Sequence, residues 1–395
     1  PLDVLGAGLV AHEDHVLAGL ALLLRLLGRI DYIEEIDAFR FIAGVEAFDP
    51  AALRPHFPGY IVFIAAGKAA AALVGDAQTG LTALVALCGA LLVVPVALLA
   101  RRLGGPVAAM TAAMLVAVNP LMWLNSDKIL SDIPGLLLVA TAFAWLTSRL
   151  EPAPEGQPTA NQAAHLAGAM ALLGLALGAR LSLFPLALSA LAWMMWRKAA
   201  WRVGGGGLVL GVLLWLLPTL MVAGAERFLS AGQVAVGGHF FRWGGSAVTV
   251  SDPLARLQGL VWAVAAHGFG GWWHDRALWL LLPTAALTLL AGVVLAQLAR
   301  ARRASLVPGL LIAGPYLLWL ALGQNVTARP RHALPLVVFG IVLLAVGHAR
   351  SWARDDGRRA LATGAMAVLL VGNCALGWQL SVRHQQAPPP KSLAL

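Results

Sequence analysis

Four polar clusters interrupt an otherwise apolar chain, and their residue types are those of proton transfer and anion binding. The first is Glu34-Glu35-Ile36-Asp37-Ala38-Phe39-Arg40-Phe41, acidic, basic and aromatic, just beyond the first apolar run. Ionisable groups at a membrane boundary are costly to hold, which marks them as candidates for function. If the stretch is helical, Asp37 and Arg40 share a face, and the guanidinium keeps the carboxylate ionised. Such a carboxylate is equipped to act as a general base, taking the proton of a hydroxyl or amine acceptor as that acceptor attacks. Glu34 and Glu35 are alternative bases at this spacing, and a helix cap or simple ion pair is the plain structural reading of Asp37.

The second cluster is Arg54-Pro55-His56-Phe57-Pro58-Gly59-Tyr60, where two prolines fix an extended lead-in and a helix can begin after Pro58. Arg54 and His56 would face the lipid headgroups and contact phosphate, with Tyr60 stacking or hydrogen-bonding; a rigid connector is the alternative. The third, Ser126-Asp127-Lys128-Ile129-Leu130-Ser131-Asp132-Ile133-Pro134, brings two more carboxylates to the same side as Asp37. Asp132 has the position of a helix-starting acid, and it can also orient an acceptor. Paired acids raise the question of a divalent metal, Mg or Mn, although hard cations usually want more oxygen ligands than this sequence displays. The fourth, Ala328-Arg329-Pro330-Arg331-His332-Ala333-Leu334-Pro335, offers two guanidiniums and an imidazole, a cradle for phosphate. Arg180, caught between two apolar runs, is expensive unless it meets a phosphate or carboxylate. His239 and Arg242 lie in a long segment rich in Gly, Phe and Trp and are further candidates.

The elements that must position these groups are membrane helices. The chain has 395 residues, 59% hydrophobic and only 12% charged, with a mean hydropathy of +0.79, far from a soluble globular mix. Apolar runs of roughly 16 to 22 residues, near the length that crosses the hydrocarbon core, recur throughout. The reading is an all-α polytopic membrane protein, one integral domain over residues 1–395 with about 11 spans. They lie near 14–28, 81–100, 106–124, 133–148, 163–179, 181–196, 206–223, 277–297, 306–323, 333–347 and 361–380. Residues 29–80 form a first outer loop with juxtamembrane helices, and 224–276 a long outer loop. The run 58–75 is either a twelfth span or an interfacial helix.

Placing 58–75 at the surface puts the clusters at Arg101 and Arg102, Arg197 and Lys198, Arg300 to Arg303 and Arg350 to Arg359 on one side, which the positive-inside tendency makes cytoplasmic. Asp37, Asp132, the long loop and Arg329 to His332 then share the other side. Arg40, Arg54, Arg180, Arg227, Arg242 and Arg331 also fall there, against the tendency, and call for an anion outside. The net charge of +9 sits in short clusters between apolar runs, so membrane lipids, and no nucleic acid, are the expected basic-patch partners. Cys88 and Cys374 lie inside apolar runs, not in a disulfide framework. The chain begins at Pro1 with no cleavable signal ahead of the first run, which is expected to direct it to the inner cell membrane as a multi-pass protein. Residues 151–158 read as a flexible cytoplasmic loop, and Asn325-Val326-Thr327 matches a glycosylation sequon. There is no phosphate-binding Gly-x-x-x-x-Gly-Lys-Ser/Thr, no His-Glu-x-x-His and no Gly-x-Ser-x-Gly, so nucleotide hydrolysis, zinc proteolysis and elbow-serine hydrolysis lack support.

The order of the clusters resembles the polyprenyl-phosphate-sugar-dependent glycosyltransferases of the C superfamily (GT-C), which include protein O-mannosyltransferases and the lipid A aminoarabinose transferase. Ile36-Asp37-Ala38-Phe39-Arg40-Phe41 resembles the family's Asp-Glu-x-Arg-Tyr stretch, with Ala38 in place of the second acid and Phe41 in place of Tyr. His56-Phe57-Pro58-Gly59-Tyr60 resembles its His-Pro-Pro-Leu/Gly-Tyr lead-in to a juxtamembrane helix, Phe57 departing from Pro. Ser131-Asp132-Ile133-Pro134 resembles the acid of the second outer loop, and Arg331-His332-Ala333-Leu334-Pro335 the late Arg-Tyr-x-x-Pro stretch. The resemblance spans residues 15 to 350 in order and supports a juxtamembrane 58–75.

It implies an inverting transfer of a sugar from a polyprenyl-phosphate donor to a lipid, glycan or protein acceptor on the periplasmic face. Asp37 would be the base and Asp132 would position the acceptor. Arg40, His56, Tyr60, Arg180, Arg331 and His332 would serve substrate and phosphate, with Glu34, Glu35, Asp127, His239 and Arg242 as further candidates. The missing second acid beside Asp37 leaves metal use open. A transporter or flippase for lipid-linked sugars would use the same basic contacts without a base. A non-catalytic scaffold would need no outer acids at all.

Overall fold

A computed structural model describes residues 2–30, 32–150, 159–274, 276–326, 328–354 and 357–386. The loop expected at 151–158 and Thr327 of the sequon lie outside the described residues. Among the described residues every regular element is helical: α1 (Leu2–Gly28), α2 (Ile36–Glu46), α3 (Ile61–Val74), α4 (Ala77–Leu91), α5 (Val93–Val118), α6 (Pro120–Ser126), α7 (Asp132–Thr147), α8 (Ala160–Ala179), α9 (Phe184–Trp196), α10 (Trp201–Ala223), α11 (Ala225–Phe241), α12 (Pro253–Val261), α13 (Leu281–Ala299), α14 (Arg303–Gly323), α15 (Leu334–Trp352) and α16 (Gly357–Gln386). Each apolar run read from the sequence is helical. Apolar side chains without a water-facing period leave a helix no polar side, so these segments can rest only against each other or in lipid.

Seven helical stretches among the described residues are long and apolar enough to cross a membrane, and the protein is a multi-pass membrane protein. The longest, Ala77–Val118, covers α4 and α5. It leaves helical geometry at Gly105 (φ 76°, ψ −166°), just before Pro106, where the sequence also divides. A φ of that sign is open to glycine and costly for a side chain, and the following proline cannot close the helical hydrogen bond. Four shorter apolar helices, His15–Gly28, Ile61–Val74, Asp132–Thr147 and Leu181–Trp196, complete the set. At 1.5 Å per residue, the 14 residues of α3 reach about 21 Å, short of a hydrocarbon core of about 30 Å. The segment 224–276 is more ordered than a loop. It holds α11, α12 and a π-helical turn at Trp262–Gly268, which Gly232, Gly237 and Gly238 disguise by breaking the helical pattern.

The tightest helix pair is α8 with α10, and two glycine pairs explain it. Gly174 and Gly178 lie four apart on α8, as do Gly207 and Gly211 on α10. A Cβ on Gly211 would stand 2.0 Å from the Ala171 carbonyl oxygen, one on Gly207 2.2 Å from that of Ala167, and one on Gly174 2.3 Å from that of Leu208. Between helices in lipid, with no hydrophobic drive, such backbone contact supplies the van der Waals attraction that holds them. A second staple lies across the bundle. Arg25 of α1, fully buried, donates from Nη1 to the carbonyl oxygens of Ala21 (2.8 Å) and Ala117 (3.3 Å) and from Nη2 to that of Val116 (3.4 Å). Its charge thereby meets the orphan carbonyls at the C-terminal end of α5.

Gly211→Leu is expected to force α8 and α10 apart and cost about 1–3 kcal/mol or more, as overpacking does. Gly206→Leu, on the same helix with nothing within 4 Å of its Cβ position, is expected to leave stability unchanged. Thermal unfolding of the two purified variants checks this, and equal melting temperatures would remove the glycine contact as the cause.

Candidate active site

Asp37 enters the first turn of α2 with its carboxylate turned inward. The residue that starts this helix is Glu35, whose side chain caps nothing, so neither acid is spent on the helix terminus. Asp37 Oδ1 lies 3.5 Å from Arg40 Nη1, the pair expected at that spacing, and 3.7 Å from His56 Nδ1. Its Oδ2 lies 3.4 Å from Arg331 Nη2. Arg331 stands in the short 3-10 turn Pro330–Ala333 at the head of α15. Its Nη1 pairs closely with Glu35 Oε2 and its Nε faces Asp132 Oδ2 at 3.8 Å. One buried guanidinium thus faces three carboxylates from two distant parts of the chain. Arg329 Nη1 adds a second contact to Glu35 at 3.2 Å.

Asp132 is the first residue of α7, behind Ser131 at the helix start. Its carboxylate is not a cap. It accepts from Arg180 Nη2 at 2.8 Å, while Arg180 Nη1 donates to Ser131 Oγ at 3.3 Å. Gly135 makes the approach possible, because a Cβ there would stand 3.0 Å from the Arg180 Cβ. Asp132, Arg180, Ser182, Tyr316, Arg331 and His332 line one narrow cleft. Tyr316, in α14, donates its hydroxyl to the His332 carbonyl oxygen at 2.9 Å.

His56 departs from expectation. Arg54 is exposed, but His56 is half-buried and places Nε2 2.9 Å from the Tyr60 hydroxyl. Burial pulls the His56 imidazole down to about 4, against the pull of Asp37, and the nearby Arg40, Arg180 and Arg331 lower it further. It is neutral at physiological pH. Tyr60 holds φ 48° and ψ 35°, left-handed for a residue with a Cβ, a conformation that costs about 1–3 kcal/mol and survives where neighbours fix it. The Phe41 ring, edge-on at 5.1 Å, and His56 are those neighbours.

Beside this cluster, Glu34 pairs with Lys128 Nζ at 2.7 Å and His384 Nε2 at 2.9 Å. Burial alone would raise its carboxyl, but the His384 and Lys128 contacts outweigh that and hold it near about 2. The Tyr32 hydroxyl donates to the His384 carbonyl oxygen at 2.7 Å, so α16 is tied to the segment between α1 and α2. Asp127 does not join Asp37. It turns inward, 3% exposed, with no hydrogen-bond partner on either carboxylate oxygen. Burial pushes its carboxyl up to about 8, with Arg25 and Lys128 pulling the other way. His239 shares a hydrogen with the Gly323 carbonyl oxygen at 2.7 Å, which ties α11 to the end of α14, and Arg242 is exposed outside the cluster.

Sequence reasoning missed Tyr316 and His384. The signal for Tyr316 was scarcity. The chain has three tyrosines, and Tyr32, Tyr60 and Tyr316 each place a hydroxyl on a residue of this region. A divalent metal fits poorly. Among the described residues no three His, Cys, Asp or Glu side chains gather at metal-binding spacing. Glu35, Asp37 and Asp132 already face guanidiniums, which would repel a cation that needs several free oxygens.

Residues 58–223 match the family of dolichyl-phosphate-mannose-protein mannosyltransferases. No curated protein matches the chain in sequence. The fold is that of solved membrane glycosyltransferases. The oligosaccharyltransferase of Archaeoglobus fulgidus, tethered to an acceptor peptide, superposes with a TM-score of 0.63 at 16% identity over 97% of this chain and 56% of its own. ArnT from Cupriavidus metallidurans gives 0.61 at 14% identity over 95% and 76% in the apo state. Bound to undecaprenyl phosphate, it gives 0.57 at 15% over 94% and 76%. The chain therefore spans little more than half the length of the archaeal enzyme. The family match thus runs across α3 to α10, and the architecture of these membrane enzymes extends over nearly the whole length of the chain.

Proposed function

We propose that the protein is an inverting glycosyltransferase that moves one sugar from a polyprenyl-phosphate donor to an acceptor at the periplasmic face of the inner membrane. The observation that carries this reading is Asp37, ionisable and partly exposed, set 3.4 Å from Arg331, which lines a cleft together with Arg180 and His332. A base and an anion cradle side by side are what transfer from a sugar phosphate requires. The undecaprenyl phosphate bound to ArnT and the peptide bound to the archaeal enzyme belong to those proteins, and support a lipid donor here by analogy of fold. Residues 1–395 are read as one integral membrane domain.

The acceptor oxygen or nitrogen attacks the anomeric carbon from the face opposite the phosphate. Its proton passes to Asp37. The bond from that carbon to the phosphate oxygen breaks, its electron pair leaves with polyprenyl phosphate, and the new linkage is inverted. Arg331 and Arg180 meet the charge that develops on the leaving oxygen, Asp132 fixes both guanidiniums, and neutral His56 steadies the Asp37 carboxylate.

Asp37→Asn keeps the shape and removes the base, so kcat is expected to fall by about 10²–10⁴ with KM little changed. Transfer of a labelled sugar by purified variant and parent checks it, and normal transfer by the variant would remove this mechanism. A flippase would tolerate Asp37→Asn better than loss of Arg331 and would form no glycosidic bond.

Arg331→Lys keeps the charge but loses the fork that spans Glu35, Asp37 and Asp132. Its kcat is expected to drop by about 10²–10³, the usual cost of one preorganised charge-stabilising group. Parent-like kcat in the same assay would place the phosphate elsewhere.

Stability should also fall in acid. The His56 imidazole titrates at 6.5 when free and at about 4 here, so the unfolded chain binds more protons between those values and stability drops as pH is lowered through them. Glu34, held at about 2 against 4.5, adds stability that is present above 4.5 and lost as pH falls toward 2. Melting temperatures measured from pH 7 down to pH 4 should decline, and His56→Gln should flatten the part between 6.5 and 4. An unchanged slope in that variant would show that His56 is not the source.

A further inference from the structure

Below the basic cleft lies a cavity of about 370 Å³ with predominantly apolar walls from α5, α7, α9, α13, α14 and α15. Leu136 and Pro335 line both it and the cleft of Arg180 and Arg331, so the two adjoin across these side chains. Along α15 the lining runs from Pro335 to Arg350, which at 1.5 Å per residue is about 22 Å. At the far end the walls turn polar, with Thr147, Gln297 and Arg350. An apolar chain gains nothing by passing those groups.

The cavity has a side opening. α13 and α14 are joined by a short turn yet barely touch along their lengths, and both line the cavity, through Val294 and Leu298 on one and Pro308 and Ile312 on the other. Only 17% of the α14 window that crosses the membrane is buried. Pro308 and Pro315 each remove a backbone donor from that helix. The lumen therefore faces lipid between α13 and α14.

Gly309 lies on the α14 wall, and a Cβ there would meet the Phe339 Cζ of α15 at 3.5 Å and nothing else within 4 Å. Any larger side chain at 309 must project into the lumen toward that ring. We propose that Gly309 and Phe339 gauge this chamber for the first isoprene units of the lipid carrier, which load sideways between α13 and α14. The protein then selects carriers on the bulk of the chain within about 22 Å of the phosphate and is indifferent to the chain beyond it. This rests on the lipid-linked donor reading and adds to it a specificity-determining pair.

Full-length protein in detergent, mixed with polyprenyl phosphates of increasing chain length, is read by native mass spectrometry for binding. The matching sugar donors are read for transfer. In the parent, affinity is expected to rise with length, by at least about ten-fold, the return for burying some two methylenes, and then to level off once the chamber is filled. Gly309→Phe should abolish that gain, and adding Phe339→Ala should restore it by returning the volume to the lumen. Melting temperatures of the parent and both variants report whether they fold.

Affinity that climbs without limit, or is flat from the first unit, would overturn the proposal. So would a folded Gly309→Phe that keeps the length preference, or a double variant that regains nothing. If phosphatidylglycerol competes with the long carrier in the parent and is excluded equally by Gly309→Phe, the chamber is a general lipid pocket and the proposal also falls. Gated carrier binding with no sugar transfer from any donor would instead sink the transferase reading and leave the chamber standing.

Discussion

One end of the bundle is organised by one guanidinium held among three carboxylates. Arg331 reaches Glu35 and Asp37 at the start of α2 and Asp132 at the start of α7, three segments that no local interaction would bring together. A desolvated cation without partners is strongly destabilising, and so are three acids without a cation. Each therefore constrains the others. Arg180 closes the arrangement from the α8 to α9 junction by taking Asp132 at 2.8 Å, and α8 is itself fixed by its glycine contact with α10. The α16 terminus, through His384 and Tyr32, holds the loop that carries Glu35 and Asp37.

Much of this was legible because membrane sequences advertise their charges. Where charged residues are scarce, an Asp37 with an Arg40 one turn on, or an Arg331 beside a His332, stands out against apolar neighbours. What could not be read was which acid meets which base. Asp127 and Asp132 look alike in sequence, both near the top of a span. The structure sends Asp127 inward beside Arg25 and Asp132 toward the cleft, because α6 ends just before Asp127 and the chain turns before α7 begins at Asp132. Tyr316 was hidden for a related reason. It sits in the middle of an apolar helix, and only the approach of the Pro330–Ala333 turn gives its hydroxyl a partner. The glycine pairs of α8 and α10 were visible as residues, but their meaning depends on which helices are neighbours.

The arginines that the sequence reading places outside, against the positive-inside tendency, find much of their explanation within the chain. Arg40, Arg180 and Arg331 pair with its own carboxylates, and Arg227 meets Asp49 at 2.9 Å. Arg54 and Arg242 are exposed. An external anion is therefore not needed to hold the cluster together, so any phosphate that binds must compete with carboxylates already in place.

That competition has a direction. The Glu35 contact with Arg331 is the close one, while those to Asp37 and Asp132 are looser at 3.4 and 3.8 Å. A phosphate entering the cleft meets Arg331 along the edge that carries Nη2 and Nε, the edge whose present contacts are weakest. On the proposed reading, Arg331 can turn that edge to the donor while Glu35 retains it. Asp37 is then left with Arg40 and neutral His56, and its Oδ2 is open to receive a proton. On that same reading the base would be masked while the cleft is empty and exposed once the leaving group is in place, which would couple proton abstraction to the presence of a donor by charge balance alone.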